Sequence, residues 1–494
     1  MDPNTSISYW TWKQTVKLFG IGILLTLTTN FPSAFTHTSV NTAGDTLDHY
    51  INVSYVNRNW ELNLDEHTLV KVIINNCWYI GQTIGAVLTP AITDNYGRKP
   101  AYLLATAIMT LACALQSLST FWSYPELLVA SRTLASIFSP MSDAVSILFL
   151  QEIAPTNYRG TLSSLFSTGF AGISCLGMLV GMKSILGNSL TGLLFVPVIP
   201  GLLSLVLLAV LPETPKFLLI SKKNVEGARR SLIFYQGASP QTEFTLDEYQ
   251  CEAKEEEVGE ARMTDLFRVP YLRRAMILTF MIMTLCLPFY PILQYSTTLL
   301  RMVGISDTIA EWSSFLLGIE MLVGCLIAAA LLNRFQRRSL VIVFGFASII
   351  SILIFAICGA FVQQLSFLKY GALVGMFAYI ACWSAAVGPI SNFIGPELVQ
   401  LQYRSTMFCV CFALSNVFIF ASNGSALALF RKFGAITFVP LYVIPSALAL
   451  VYIWYYLPET KDQETHVIVG MLKGGRRRAC DAVPELLVKD DLKF

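Results

Sequence analysis

Three charged motifs occur twice in this sequence, at matching places in its two halves. Asp94-Asn95-Tyr96-Gly97-Arg98-Lys99 is answered by Asn333-Arg334-Phe335-Gln336-Arg337-Arg338. Glu152, followed by Arg159-Gly160, is answered by Glu397, followed by Arg404-Ser405. Leu211-Pro212-Glu213-Thr214-Pro215 is answered by Leu457-Pro458-Glu459-Thr460-Lys461. Carboxylates and guanidinium groups in this pattern read as ion pairs at helix ends. An exposed pair is worth about 0.2–1 kcal/mol, so several together bias an equilibrium between two arrangements without freezing it. Simple anchoring by positive charge is the alternative for the arginines. The carboxylates that recur beside them weigh against it.

Two more carboxylates, Asp143 and Glu320, lie inside apolar runs. Ionisable groups there are costly and mark function by default. Carrying a proton is one use. Pairing with Ser, Thr or backbone is the other. The 4 histidines have no metal-ligand spacing with one another or with cysteine. Most of the 11 cysteines sit within apolar runs and read as small buried hydrophobes. No Gly-x4-Gly-Lys-Ser/Thr loop occurs, so ATP drive is not expected. Neither covalent chemistry, a metal, a cofactor nor nucleic-acid binding is expected.

The elements that position these residues follow from composition. Of 494 residues, 54% are hydrophobic and only 13% charged, with a mean hydropathy of +0.58. So few charges do not cover a water-soluble chain of this size, and the apolar content excludes disorder. A membrane-spanning helix needs about 20 mostly apolar residues. Twelve such runs are legible, from 17–37 to 435–457, six on either side of a polar stretch at 212–273. The plan is an all-α membrane protein of two six-helix bundles. It comprises a cytoplasmic N-terminus (1–16), bundles at 17–211 and 274–457, a linker of short helices (212–273) and a cytoplasmic tail (458–494).

The short loops with Arg98, Lys99, Arg159, Arg334, Arg337, Arg338 and Arg404 all fall on one side when twelve spans alternate. The positive-inside rule puts that side, both termini and Arg476-Arg477-Arg478 in the cytoplasm. Asn52-Val53-Ser54, in the long loop at 38–68, is then an external glycosylation sequon. Asn4 would be cytoplasmic, and Asn423 lies within a span, so their sequons are decoys.

Two bundles of six carrying matched motifs resemble the major facilitator plan. The motif set is similar to that of the sugar-porter branch, and within it to the animal facilitative glucose and fructose transporters. Asp94-Asn95-Tyr96-Gly97-Arg98-Lys99, Pro212-Glu213-Thr214-Pro215-Lys216-Phe217-Leu218-Leu219 and Pro458-Glu459-Thr460-Lys461 together carry the resemblance. It implies alternating access and a cytoplasmic gate of inter-helix salt bridges drawn from Asp94, Arg98, Glu152, Arg159, Glu213, Arg337, Arg338, Glu397, Arg404 and Glu459.

The resemblance also maps a solute site, and there this chain departs. Gln294-Tyr295-Ser296-Thr297 keeps part of the seventh-span pattern. The family's two glutamines and asparagine fall on Thr284, Leu285 and Tyr290. A fifth-span glutamine falls on Ser167, and a tenth-span tryptophan on Asn392. Asn416 is kept, but the tryptophan after it is Val417. Thr36, Ser167, Thr284, Tyr290, Gln294, Ser384, Asn392 and Asn416 are the polar residues left to line a site. Loss of hydrogen-bonding amides changes which solute fits, because an unpaired buried polar group is costly.

Proton-driven relatives place an acid where Thr36 stands, which favours uniport of a hexose-like small polar solute across the plasma membrane. Asp143 and Glu320 keep proton symport open as an alternative, urate is an alternative solute, and a non-transporting sensor is a third reading.

Overall fold

Inside a bilayer every backbone N–H and C=O must find its partner within the protein, so apolar runs fold as helices. The computed structural model is all-helical among its described residues. These are 12–474, apart from 156–157, 238–241, 251–262 and 401–402 and positions 244, 248, 462 and 464. The glutamate-rich cluster at 252–262, Asn4 and the tail arginines 476–478 lie outside them.

Among the described residues, 10 helical segments are long and apolar enough to cross a membrane. They include Gln14–Thr42, Arg98–Phe121, Pro125–Ile153, Pro270–Met302, Asp307–Leu332, Leu368–Glu397 and Thr406–Thr437. Leu64–Tyr96 and Arg159–Val180 fill the second and fifth places, bringing the spans to the twelve read from the sequence. The chain divides into two compact units, Met1–Gly259 and Glu260–Phe494, with six spans in each.

Helix ends differ from the hydropathy reading where capping decides. The second span starts at Leu64, before the apolar run at 69–93, because Asn63 and Glu66 form a capping box. Glu66 Oε2 accepts the Asn63 backbone N–H at 2.9 Å. The stretch 38–68 is largely helical too. The first span runs to Thr42, and Gly44–Val56 forms a helix burying Leu47, Tyr50, Ile51 and Ser54. That spacing of three and four puts them on one face.

Proline and glycine break four spans. Pro32 lies in a π-helical turn, Phe31–Phe35. The seventh span stops at Thr284 and resumes at Phe289. The tenth contains a π-turn, Trp383–Val387, just before Gly388-Pro389, and the twelfth opens on another, Val439–Val443. Such turns favour functional positions. Pro140 leaves Pro125–Ile153 unbroken.

The first unit packs around Leu25, Tyr102, Ala105, Val145, Phe149 and Leu208. Its second and fourth spans approach closely at Gly81, where a Cβ would stand 2.7 Å from the Thr133 carbonyl oxygen. Small residues at such crossings replace the hydrophobic drive that lipid removes. The second unit packs around Leu278, Ile282, Val387, Ile390, Met407 and Ile453. Val343, Phe346, Ile350, Ile354 and Ile357 stay exposed along one stripe of the ninth span, as befits a helix side turned to acyl chains.

Two short helices of the polar stretch, Pro215–Ile220 and Val225–Gln236, dock on the first unit. Tyr235 Oη donates to the Pro212 carbonyl at 2.7 Å, and Gln236 Nε2 to that of Ile153 at 3.2 Å. Helix Thr465–Gly474 seats Ile468 and Leu472 in the core of the second unit.

Candidate functional site

The duplicated motifs fold into two knots of the same design. In the first unit the chain turns at Gly97, whose φ of +105° favours glycine, and a Cβ there would meet Phe217 and Glu213. The turn sets Arg98 Nε 3.1 Å from Glu152 Oε1. Glu152 is buried, and its other oxygen accepts the Thr214 hydroxyl at 2.6 Å. Glu213 accepts the Lys99 backbone N–H at 3.1 and 3.0 Å and that of Thr214 at 2.8 Å. It thereby caps the positive end of helix Arg98–Phe121. Burial pushes the Glu213 carboxyl above its ordinary range, against the backbone donors that hold it down.

In the second unit Arg337 Nη1 pairs with Glu397 Oε2. Glu459 accepts the backbone N–H groups of Arg337 and Arg338 at 3.0 and 3.1 Å. Thr460 and Lys461 donate to the same carboxylate at 3.1 and 2.9 Å. Arg338 Nη2 reaches the Trp454 carbonyl at 2.9 Å. Arg404 lies within electrostatic range of Glu397.

Each knot thus joins one ion pair to one helix-capping glutamate. Salt bridging is the expectation for Glu213 and Glu459 as well. Both also bind backbone N–H groups, because each sits at the open N-terminus of a span, and Arg98 lies within electrostatic range of Glu213. The side chains of Asp94 and Arg159 lie outside the described residues.

The polar residues mapped for a solute fall on both units. In the first, Thr36 is buried and its Oγ1 lies 3.6 Å from Cys113 Sγ. Ser167 is exposed. Asp143 Oδ2 accepts the Ser139 hydroxyl at 3.4 Å. In the second unit, Thr284 donates to the Phe280 carbonyl at 2.9 Å and Ser384 to that of Ile380 at 2.7 Å, each within its own helix. Tyr290 is half-buried, with its ring edge-on to Phe289, and Asn392 is exposed. Gln294 and Asn416 are buried. Gln294 Oε1 accepts from Asn423 Nδ2 at 2.5 Å. Glu320 buries Oε2 without a hydrogen-bond partner among the described residues.

Residues absent from the sequence expectations also appear here. Arg132 is 1% exposed inside the first unit. It lies within electrostatic range of His37, Cys77 and Cys113. The His37 ring lies 5.5 Å from that of Trp78. A cation within the run 125–151 was the available signal. Phe289 stacks on Trp383 at 3.6 Å and 8°, bringing the break in the seventh span to the π-turn of the tenth. On the far side from the knot, Asn52 is exposed on helix Gly44–Val56. That helix is held by Asp48–Lys71 at 2.8 Å and Asp45–Lys183 at 2.5 Å. Arg58, just beyond it, pairs with Glu126 at 2.6 Å.

Comparison with known proteins agrees with this architecture. The profile of the family described as "Sugar (and other) transporter" matches residues 20–471. Facilitated glucose transporter member 5 of solute carrier family 2 from Rattus norvegicus is 25% identical, over 96% of each chain. Plastidic glucose transporter 4 from Arabidopsis thaliana is also 25% identical, over 84% of this chain and 75% of its own. The proton:xylose symporter XylE, bound to 6-bromo-6-deoxy-D-glucose, superposes with a TM-score of 0.73 at 18% identity, covering 93% of this chain and 100% of its own. Its inward-open form, from E. coli, also gives 0.73, over 92% and 99%. These relatives are transporters, not enzymes. Two six-span units closed by the same charged knot, with a profile match over almost the whole chain, place this protein in the sugar transporter family of the major facilitator superfamily.

Proposed function

We propose that this protein carries a hexose-like neutral solute across the plasma membrane, down its gradient, by alternating access. The duplicated knot is the observation that carries the reading. Residues at matching helix ends of both units form strong local pairs, which suits units that move as bodies. By the positive-inside rule the knots lie in the cytoplasm with both termini, and Asn52 lies outside. Thr36 of the first span lies beside Cys113 of the third, and no acid stands in the first span, which supports uniport. The glucose transporters among its relatives support a sugar as cargo.

The test is uptake of radiolabelled D-glucose, D-fructose and urate into proteoliposomes. Flux of a hexose that stops at equal inside and outside concentrations is the expected result. Binding without flux makes the protein a sensor, and flux of urate alone makes it an anion carrier. A second reading, proton symport, is favoured by one observation: the buried Glu320 Oε2, which has no hydrogen-bond partner among the described residues.

A further inference from the structure

We propose, resting on the reading of a neutral hydroxylated solute, that Asn423 and Gln294 form one amide pair that determines which solute is carried. Asn423 is 0% exposed and Gln294 5%. Their hydrogen bond crosses from the eleventh span to the segment of the seventh that follows its break, Phe289–Met302. Two other polar side chains mapped to the second unit are spent locally: the Thr284 and Ser384 hydroxyls bond their own helices. The amide pair instead joins two spans, one of them discontinuous.

Asn416 extends the same surface. It stands seven residues before Asn423, two helical turns away on the same face. It is 2% exposed, and its Nδ2 has no hydrogen-bond partner among the described residues. A buried donor without an acceptor is unfavourable by itself, and an incoming oxygen relieves it. The chemistry of that oxygen follows from the amides, which carry no charge and offer both donors and acceptors. A hydroxyl group, which also donates and accepts, matches them. The Asn423–Gln294 bond fixes the plane of Gln294, so Asn423 acts on the solute through its partner. Asn423 is therefore a positioning residue rather than the decoy sequon the sequence shows.

The experiment is transport of D-glucose, D-fructose and D-xylose by the purified full-length protein in proteoliposomes. Gln294→Ala, Asn423→Ala, the double variant and the conservative Asn423→Gln are compared with wild type. Each alanine variant is expected to raise KM by about tenfold, the scale of one lost buried hydrogen bond. The double variant is expected to match the single ones, since both remove the same bond. The ratio of kcat/KM between the three sugars, which does not depend on how much protein folds, is expected to change at least threefold in the alanine variants. It is expected to return towards wild type in Asn423→Gln. Hexose flux with KM and sugar ratios within twofold of wild type in both single variants overturns the amide pair and leaves the transport reading intact. Additive single effects also overturn it. Absence of flux for all three sugars with wild type overturns the sugar reading itself.

Discussion

Glu213 accepts the backbone N–H of Lys99 with both carboxylate oxygens, at 3.1 and 3.0 Å. A side chain beyond the sixth span thereby caps the start of the third. Glu459 repeats this for the ninth span, at Arg337 and Arg338. A helix N-terminus presents donors and partial positive charge, so a carboxylate placed there is held by the backbone as well as by a nearby guanidinium charge. A glutamine keeps the acceptor and loses the charge, whereas an alanine loses both. Glu213→Ala and Glu459→Ala are each expected to lower unfolding stability by about 0.5–2 kcal/mol, the range of a lost helix cap. The glutamine variants are expected to lose less. Thermal unfolding in detergent checks the order, and equal loss for both substitutions contradicts the cap.

Arg98 and Glu152 make a different bond, an ion pair whose carboxylate is buried. Arg98→Gln leaves that charge under-satisfied and is expected to cost about 1.5–3 kcal/mol, the scale of a hydrogen bond to a charged group. Arg337→Gln does the same to Glu397 and is expected to raise labelling of the chain's cysteines by a thiol reagent applied from the cytoplasmic side. Pairing Arg98→Glu with Glu152→Arg should recover part of the stability. Unchanged unfolding and unchanged thiol labelling in both single variants would remove the gating role.

The close crossing at Gly81 gives a packing prediction. The Thr133 carbonyl, which a Cβ would approach to 2.7 Å, is backbone and yields little. Gly81→Ala is expected to destabilise the first unit by about 1–3 kcal/mol, as overpacking does. Gly434, with no atom near its Cβ position but a φ of +70°, is the comparison. Its alanine variant meets backbone strain alone, since φ +70° with ψ −160° is a region that only glycine favours, on the order of 1–3 kcal/mol. Unchanged unfolding of Gly81→Ala would contradict the crossing.

Topology is checked by the glycan. Asn52 is exposed on its helix, while Asn423 is 0% exposed inside the second unit. Asn52→Gln should abolish the mobility shift caused by a glycosidase. A shift that survives this substitution places the glycan elsewhere and reverses the orientation.

Coupling is tested with an imposed pH gradient. Uniport predicts no accumulation above the external solute concentration. Asp143→Asn and Glu320→Gln should then change rates only. Accumulation abolished by either substitution makes that carboxyl the proton carrier.

Twelve spans and a twofold charge pattern were legible because lipid imposes length and apolarity on every span, and helix ends need charge. Partner choice was less legible. Glu213 and Glu152 look alike in sequence, and only the fold shows that one faces backbone donors and the other a guanidinium. Helix Gly44–Val56 was hidden by its mixed polarity, since its apolar face is narrow and meets protein rather than lipid. Arg132 passed unnoticed because one cation barely lowers the hydropathy of a long apolar run. Asn423 was masked by its resemblance to a sequon. The contact with Gln294 joins residues 129 positions apart, a pairing that local sequence does not encode.

The ion pairs around helix Gly44–Val56 differ in their access to water, and ionic strength separates them. The Lys71 side chain is 3% exposed, whereas Arg58 is 34% and its partner Glu126 61%. At about 1 M salt the Debye length shrinks to about 3 Å and surface pairs are screened, while buried ones persist. Brine should loosen Arg58 from Glu126 and Lys183 from Asp45, whose side chains are 39% and 42% exposed, and leave Lys71 on Asp48. This helix therefore stays docked in concentrated salt through Asp48, looser at both ends rather than released.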